Sequence, residues 1–178
     1  LIDQAFNPTA RRFQALRMPT IAAVNGVAAG AGASLAMSCD IAIAAPSASF
    51  VQAFSKIGLV PDAGGTFLLP QRLGMARAMA LAFTGDKLPA DKAREWGLIW
   101  DVADDCVAAA HTLAERLAKM PTQALVATRH LLRDSVTRGF EAQLQAERDA
   151  QSALGRTHDY FEGVESFLEK RSPVFKGQ

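Results

Sequence analysis

The chain of 178 residues carries a formal net charge of +1 and 49% of its residues are hydrophobic, so we expect one ordinary domain with a sizeable core rather than a disordered chain. Its 19 Lys and Arg nearly balance its 18 Asp and Glu, which argues against a nucleic-acid-binding protein, because that class needs a basic surface. No apolar run is long enough to cross a membrane, and no signal peptide is recognisable. The two cysteines, Cys39 and Cys106, lack the spacing of a pair. Together these features predict a cytoplasmic protein with reduced thiols.

The first segment begins with Leu1 and a polar run, which predicts that the sequence starts inside a longer chain. Residues 9–16 place Phe13 and Leu16 on one side of an amphipathic helix. That helix should end before Pro19, because the residue preceding a proline disfavours the helical conformation.

The next segment combines a strand, a glycine turn and a helix. Ile21–Val24 is an apolar run typical of a buried strand, and Gly30 and Gly32 mark a turn. A helix should follow over Ala31–Ser38. Because the first N–H groups of a helix have no partner within it, this turn predicts a site for a negatively charged or carbonyl oxygen.

Strands and helices alternate through the middle of the chain. Strands at Ile41–Ala44 and Ser49–Val51 follow the first turn and favour a mostly parallel arrangement. An irregular segment over 54–61 leads to a helix that Pro70 should kink or divide. The remaining elements predicted here are helices over 74–83 and 89–96 and a last strand over 98–100.

From residue 104 onwards the pattern is helical to the end, with four predicted helices and no chemistry of its own. The change in composition divides the chain into an α/β body, residues 1–103, and a helical region, residues 104–178. We expect the second region to pack on a neighbouring copy or to cap the site.

Several classes of site are excluded by spacing. A dinucleotide-binding loop needs a third glycine at the position of Leu35. It also needs an acidic residue near the end of the next strand, whereas Asp40 comes before that strand. The Lys and Ser or Thr of a phosphate loop and the serine elbow of a hydrolase are absent. No metal site is expected, because the three histidines lack partners at helical spacing: His111, His130 and His158.

Asp62 is the second candidate, and two interpretations of it stay open. It follows Pro61 and precedes a flexible glycine pair, which suits the N-cap of a helix. It also suits a carboxylate base in an apolar pocket lined by Phe54, Leu59 and Val60. The glycine turn likewise allows two interpretations, because glycine permits close packing of a helix on a strand as well as an oxygen site.

Motifs along nearly the whole chain, in the same order, resemble a known family. They are MPTIAAVNG at 18–26, CDI at 39–41, PDAGGT at 61–66, AREWGLI at 93–99 and EGVESFLEKR at 162–171. On these motifs the chain resembles the crotonase, or enoyl-CoA hydratase/isomerase, superfamily.

The resemblance implies an α/β fold of the ClpP/crotonase-like class, with a ββα spiral core whose N-terminal part is missing here, and a C-terminal helical trimerisation region. It implies an acyl-CoA thioester substrate and a homotrimer or dimer of trimers. No cofactor beyond the CoA of the substrate, no nucleic acid and no membrane partner are implied.

The resemblance also assigns roles to residues. Ala31, between Gly30 and Gly32, matches one N–H donor of the family's oxyanion hole, and the other donor lies in an earlier segment that this chain lacks. Lys170 matches a position that meets CoA. The substrate surface would comprise Gly30, Gly32, Phe54, Leu59, Val60, Pro61 and Lys170.

Departures from the family pattern indicate the branch. Ser34 and Phe54 stand where typical hydratases have two glutamates that hold and activate water. Asp62 stands where those enzymes often have glycine, and the segments 51–62 and 94–100 resemble an isomerase branch of phenylacetate catabolism. With Asp62 as acid and base, that branch would convert a ring epoxide to an oxepin or shift a double bond. A general enoyl-CoA isomerase or hydratase of fatty-acid oxidation and a non-catalytic homologue that binds acyl-CoA or RNA stay open as alternatives.

Overall fold

The computed structural model describes residues 2–178, and their contacts group into two compact units. The first unit holds the chain up to Leu16 together with Thr20–Leu113, and the second holds Arg17–Pro19 and Ala114–Gln178. The division falls inside the helix Cys106–Ala118, ten residues beyond the change in composition at 103.

The first unit contains two three-stranded sheets. In one, β1 (Ile21–Val24), β3 (Ile41–Ala44) and β6 (Asp101–Val102) run parallel, with Ile21 opposite Ile41. In the other, β2 (Val27–Ala29) pairs parallel with β4 (Ser49–Val51), and β4 pairs antiparallel with β5 (Lys87–Pro89). The predicted bounds of β1, β3 and β4 and the mostly parallel arrangement are confirmed, whereas β2 and β5 were not anticipated.

The strand predicted over residues 98–100 is wrong. The fifth α-helix of the chain, α5 (Ala90–Trp96), ends at Gly97, whose φ of 86° is left-handed. The N–H groups of Leu98 and Ile99 then donate to Ala93 O, at 2.8 and 3.5 Å. These amides close the helix instead of joining a sheet. The first hydrogen bond to β3 comes from Trp100, whose N–H donates to Ala42 O at 2.9 Å, and residue pairing begins at Asp101.

The other elements of the first unit are helices. A π-helical turn at Ile2–Phe6 precedes α1 (Asn7–Ala15), and a 3₁₀ helix spans Ala53–Ile57. Pro70 does not divide α3, which closes with Gly74 N–H donating to Pro70 O at 2.8 Å. The other helices are α2 (Ala31–Ser38), α3 (Gly65–Leu73), α4 (Met75–Thr84) and the first turns of α6 (Cys106–Ala118).

Arg72 fixes the end of α2 within the core. Its guanidinium Nη2 donates to Met37 O at 2.6 Å and Cys39 O at 2.9 Å, and Nη1 donates to Leu98 O at 3.3 Å. A cation on the last carbonyls of a helix satisfies groups that have no partner inside the helix. The side chains of Cys39 and Cys106 are both buried.

The second unit consists of helices and a folded-back tail. After the end of α6 come α7 (Thr122–Asp134), α8 (Phe140–Leu154) and α9 (His158–Glu169), so the four predicted C-terminal helices are confirmed. The tail returns along α9, where the Asp159 carboxylate accepts the N–H groups of Lys176 and Gly177 at 2.7 and 2.8 Å. Within residues 2–178, no helix has the length and apolar character that crossing a membrane requires.

Candidate active site

The glycine turn before α2 has a backbone conformation at Gly30 that favours glycine. Gly30 is the N-cap residue, with φ 53° and ψ −123°, a conformation that a side chain would strain. Its N–H donates to Val51 O at 2.8 Å, which ties the turn to the end of β4. Ala31 begins the helix as predicted, so its N–H and that of Gly32 have no acceptor within α2.

Asp62 lies in a strained loop before α3. Ala63 has φ 49° and Gly64 has φ 84°, and a positive φ is uncommon for a residue with a side chain. Helix α3 begins at Gly65 with Gly64 as N-cap and no side-chain capping bond. The N-cap interpretation of Asp62 is therefore wrong: its backbone carbonyl accepts Gly65 N–H at 2.8 Å, while its carboxylate does not cap the helix.

The Asp62 carboxylate has one oxygen that the fold leaves unsatisfied. Oδ1 is buried, and no donor among residues 2–178 forms a hydrogen bond with it. Nearly all buried polar atoms in native proteins have a partner, because burying one without a hydrogen bond is costly. An oxygen held in this way is suited to accept a proton from a bound molecule.

Helix α2 and the Asp62 loop are in direct contact. Ser34 is fully buried on α2, and its Oγ lies 2.7 Å from the position that a Cβ on Gly65 would occupy. Pro61 Cβ lies 3.0 Å from that same position. The structure therefore packs the helix that presents the Ala31 N–H against the loop that carries Asp62.

The apolar residues near Asp62 form an open surface. Phe54 is half-buried on the 3₁₀ helix, and its carbonyl accepts Leu59 N–H at 2.9 Å. Leu59 is 59% exposed and Val60 is 75% exposed. These two side chains therefore lie on the surface of the unit, on the loop that follows the left-handed Gly58, and their contact with substrate stays a prediction.

Lys170 belongs to the second unit. It caps α9 in a left-handed conformation, with φ 55°, and its N–H donates to Phe167 O at 3.3 Å. Its side chain is exposed. Its contact with CoA stays a prediction.

One buried polar residue of the first unit was missed. Gln52, which directly follows β4, is 4% exposed, and its Oε1 has no hydrogen-bond partner among residues 2–178. A lone glutamine after a strand carries no signal in the sequence that would distinguish it from a surface residue. Among residues 2–178, no three His, Cys, Asp or Glu side chains lie close enough together to hold a metal ion.

Comparison with known proteins places this geometry in a family. Residues 1–178 match the family described as enoyl-CoA hydratase/isomerase. The chain belongs to this family. A crystal structure of an enoyl-CoA hydratase/isomerase from Mycobacterium abscessus matches with a TM-score of 0.96 and 37% identity, over 99% of this chain and 69% of that one. The fold is therefore the crotonase fold that the motifs predicted.

Two curated relatives in the family carry different activities. The 1,2-epoxyphenylacetyl-CoA isomerase of Escherichia coli K12 is 52% identical over 179 residues, which cover 99% of this chain and 68% of that protein. The 2,3-dehydroadipyl-CoA hydratase of the same organism is 38% identical over 169 residues, which cover 94% of this chain and 66% of that protein. This enoyl-CoA hydratase/isomerase homologue thus spans about two thirds of the length of each relative.

Proposed function

We propose that this protein is an acyl-CoA isomerase of phenylacetate catabolism that uses Asp62 as acid and base. The observation that supports the proposal is the buried Asp62 Oδ1, which has no donor among residues 2–178, on a loop packed against the helix of Ala31. The similarity to the 1,2-epoxyphenylacetyl-CoA isomerase, at 52% identity, supports the substrate class.

The proposed reaction passes through an enolate. The Asp62 carboxylate removes a proton from the carbon next to the thioester carbonyl, and the C–H electron pair becomes the enolate double bond while the carbonyl π pair moves onto oxygen. The Ala31 N–H donates to that oxygen; one such donor contributes about 3 kcal/mol to transition-state stabilisation. Returning the proton to another carbon shifts a double bond. In the ring-epoxide substrate, the carbon–carbon bond of the three-membered ring breaks and its electron pair joins the ring double bonds to give the oxepin, so that no atom is gained or lost, and Asp62 assists by transferring the proton. No cofactor beyond the CoA of the substrate takes part.

A hydratase is the second candidate, because the 2,3-dehydroadipyl-CoA hydratase is also similar to this chain. Water addition needs a group that activates water. Ser34 is fully buried, and its Oγ donates to Gly30 O at 3.4 Å, while Phe54 has no titratable group. Parallel assays of the ring epoxide of phenylacetyl-CoA, a 3-enoyl-CoA and a 2-enoyl-CoA separate the isomerase and hydratase activities.

The Asp62→Asn variant tests the role of the carboxylate. We expect isomerisation to fall by about 10²- to 10⁴-fold, the usual contribution of general acid–base catalysis, while the affinity for acyl-CoA changes little. Turnover is followed by the change in acyl-group absorbance, and binding by thermal shift with acyl-CoA.

Asp91→Asn, at an exposed position of α5, is the matched control and should keep wild-type turnover. Isomerisation that persists in Asp62→Asn would rule out the proposed acid and base. A thermal shift with RNA but none with acyl-CoA would instead favour the non-catalytic homologue.

A further inference from the structure

Phe54 touches the backbone of the glycine turn. A Cβ placed on Gly30 would lie 3.3 Å from Phe54 Cζ and 3.5 Å from Cε2, so the tip of the ring rests on the turn. The ring is only half-buried, and it comes from the 3₁₀ helix Ala53–Ile57 rather than from α2. Two separate elements therefore meet at Gly30.

The segment that contains β4 and the 3₁₀ helix makes two contacts with Gly30. The Gly30 N–H donates to Val51 O at 2.8 Å, and the Phe54 ring covers its Cα. Val51 ends β4 and Phe54 follows three residues later, so one continuous segment makes both contacts. The contacts restrain a residue whose φ of 53° and ψ of −123° depart from the common backbone regions.

The conformation of Gly30 determines where the Ala31 N–H points. The peptide unit between Gly30 and Ala31 is planar, so rotation about the Gly30 Cα–C bond, which is ψ, turns this N–H with it. Glycine has no side chain to oppose such a rotation. The Gly30 carbonyl of this peptide unit accepts Ser34 N–H at 3.1 Å and Ser34 Oγ at 3.4 Å, which restrains the rotation from the side of α2. The Phe54 ring adds a second restraint, from the 3₁₀ helix, by packing on Gly30.

We infer that Phe54 is a positioning residue, which holds the Ala31 N–H in the direction that the thioester oxygen requires. The inference rests on the proposed function. In this role the ring acts on the backbone donor through Gly30 and not on water.

Two substitutions disturb the contact in opposite ways. Phe54→Leu removes the ring tip that touches Gly30, whereas Phe54→Tyr adds a hydroxyl to Cζ, the atom nearest to the turn. Both keep a large side chain on the surface near Asp62. Phe83→Tyr is the matched control, because Phe83 is 74% exposed on α4.

Thermal unfolding of the whole protein first shows that each variant folds. The measurements are then kcat, KM and the infrared stretch of the thioester carbonyl in a bound substrate that carries ¹³C at that carbonyl. We expect kcat to fall by about 10- to 100-fold in both variants, with KM nearly unchanged, because the affected hydrogen bond strengthens in the transition state. The carbonyl stretch should move toward the frequency of free thioester in both variants and stay at the wild-type value in Phe83→Tyr.

Other results overturn the inference. A wild-type carbonyl frequency in either folded variant would show that the donor is not positioned by Phe54. A rise in KM with unchanged kcat would show that Phe54 only contacts substrate. Failure of the proposed function would give a different pair of results. The wild-type protein would not polarise the thioester carbonyl, and Asp62→Asn would keep its activity.

Discussion

Gly65 occupies the point where the Asp62 loop meets α2. A Cβ there would lie 2.7 Å from Ser34 Oγ, which is closer than non-bonded atoms approach, and 3.0 Å from Pro61 Cβ, which is tighter than most such contacts. Ser34 is fully buried and Pro61 belongs to a rigid ring, so neither neighbour can withdraw freely. The absence of a side chain at Gly65 therefore sets how closely Asp62 approaches the glycine turn.

Gly65→Ala should destabilise the protein by about 1–3 kcal/mol, the usual cost of overpacking, and should lower isomerase activity by moving the Asp62 loop. Urea unfolding and kcat are the measurements. Gly26→Ala is the matched control, because a Cβ at Gly26 would meet no atom within 4 Å.

A second variant tests the cause of that effect. Ser34→Ala removes the oxygen at 2.7 Å, so the Ser34→Ala/Gly65→Ala pair should recover part of the lost stability, a coupling expected only for residues in contact. Additive free energies of unfolding would show that the Ser34 contact is not responsible.

Helix α9 holds the returning tail through its carboxylates. Glu162 accepts Arg171 Nη1 at 2.6 Å, Arg171 Nη2 at 3.0 Å and Val174 N–H at 2.7 Å. The Arg171 hydrogen bonds, followed by that from Val174, lower the pKa of Glu162 from 4.5 to about 2. Because the folded-state pKa is the lower one, this contribution to stability is present above pH 4.5 and is lost as the pH falls toward 2.

Arg171→Gln should reduce the loss of stability between pH 4.5 and pH 2, because the Glu162 pKa returns toward its ordinary value. The measurement is the midpoint of thermal unfolding as a function of pH, with amide exchange at Val174 reporting the tail directly. The effect should be modest and should weaken in salt, as expected for a partly exposed ion pair.

Arg148→Gln provides the comparison for that pH profile, because Arg148 pairs with Asp149 at 2.7 Å and both side chains are about 70% exposed. Its profile should match that of the wild type. An Arg171→Gln profile parallel to the wild type would remove Glu162 as the origin of the acid sensitivity.

At the scale of the whole molecule, the apolar surface of the second unit indicates assembly. Six large apolar side chains of this unit, among residues 2–178, are more than 60% exposed: Leu132, Phe140, Phe161, Phe167, Leu168 and Val174. Exposed apolar surface of this kind marks interaction sites. We propose that the surface is covered by other copies of the chain in a homotrimer or a dimer of trimers, as the family resemblance implies.

Phe140→Glu should weaken this assembly, because it places a charge in an apolar interface that would have to be desolvated. Light scattering after size-exclusion chromatography measures the mass as a function of concentration. Gln145→Glu adds the same charge at another exposed position of α8 and should leave the mass unchanged. An unaltered mass in Phe140→Glu would place the interface elsewhere.

The sequence by itself determined the features that depend on neighbouring residues. The bounds of β1 and α2, the position of the glycine turn and the four C-terminal helices follow from local patterns of apolar residues and glycines, and the structure confirms them. Asp62 was also identified as a candidate from its local setting, because Pro61 and the following glycines are unusual neighbours for a carboxylate.

Only the tertiary structure decided the features that need partners distant in the sequence. The same Asp62 suited a helix cap or a base until the structure showed α3 beginning at Gly65 without that cap and left Oδ1 without a donor in residues 2–178. The contacts of Phe54 with Gly30 and of Ser34 with Gly65 join segments 24 and 31 residues apart. Such contacts depend on how the chain packs, and packing distances are not encoded in the identity of any one neighbouring residue.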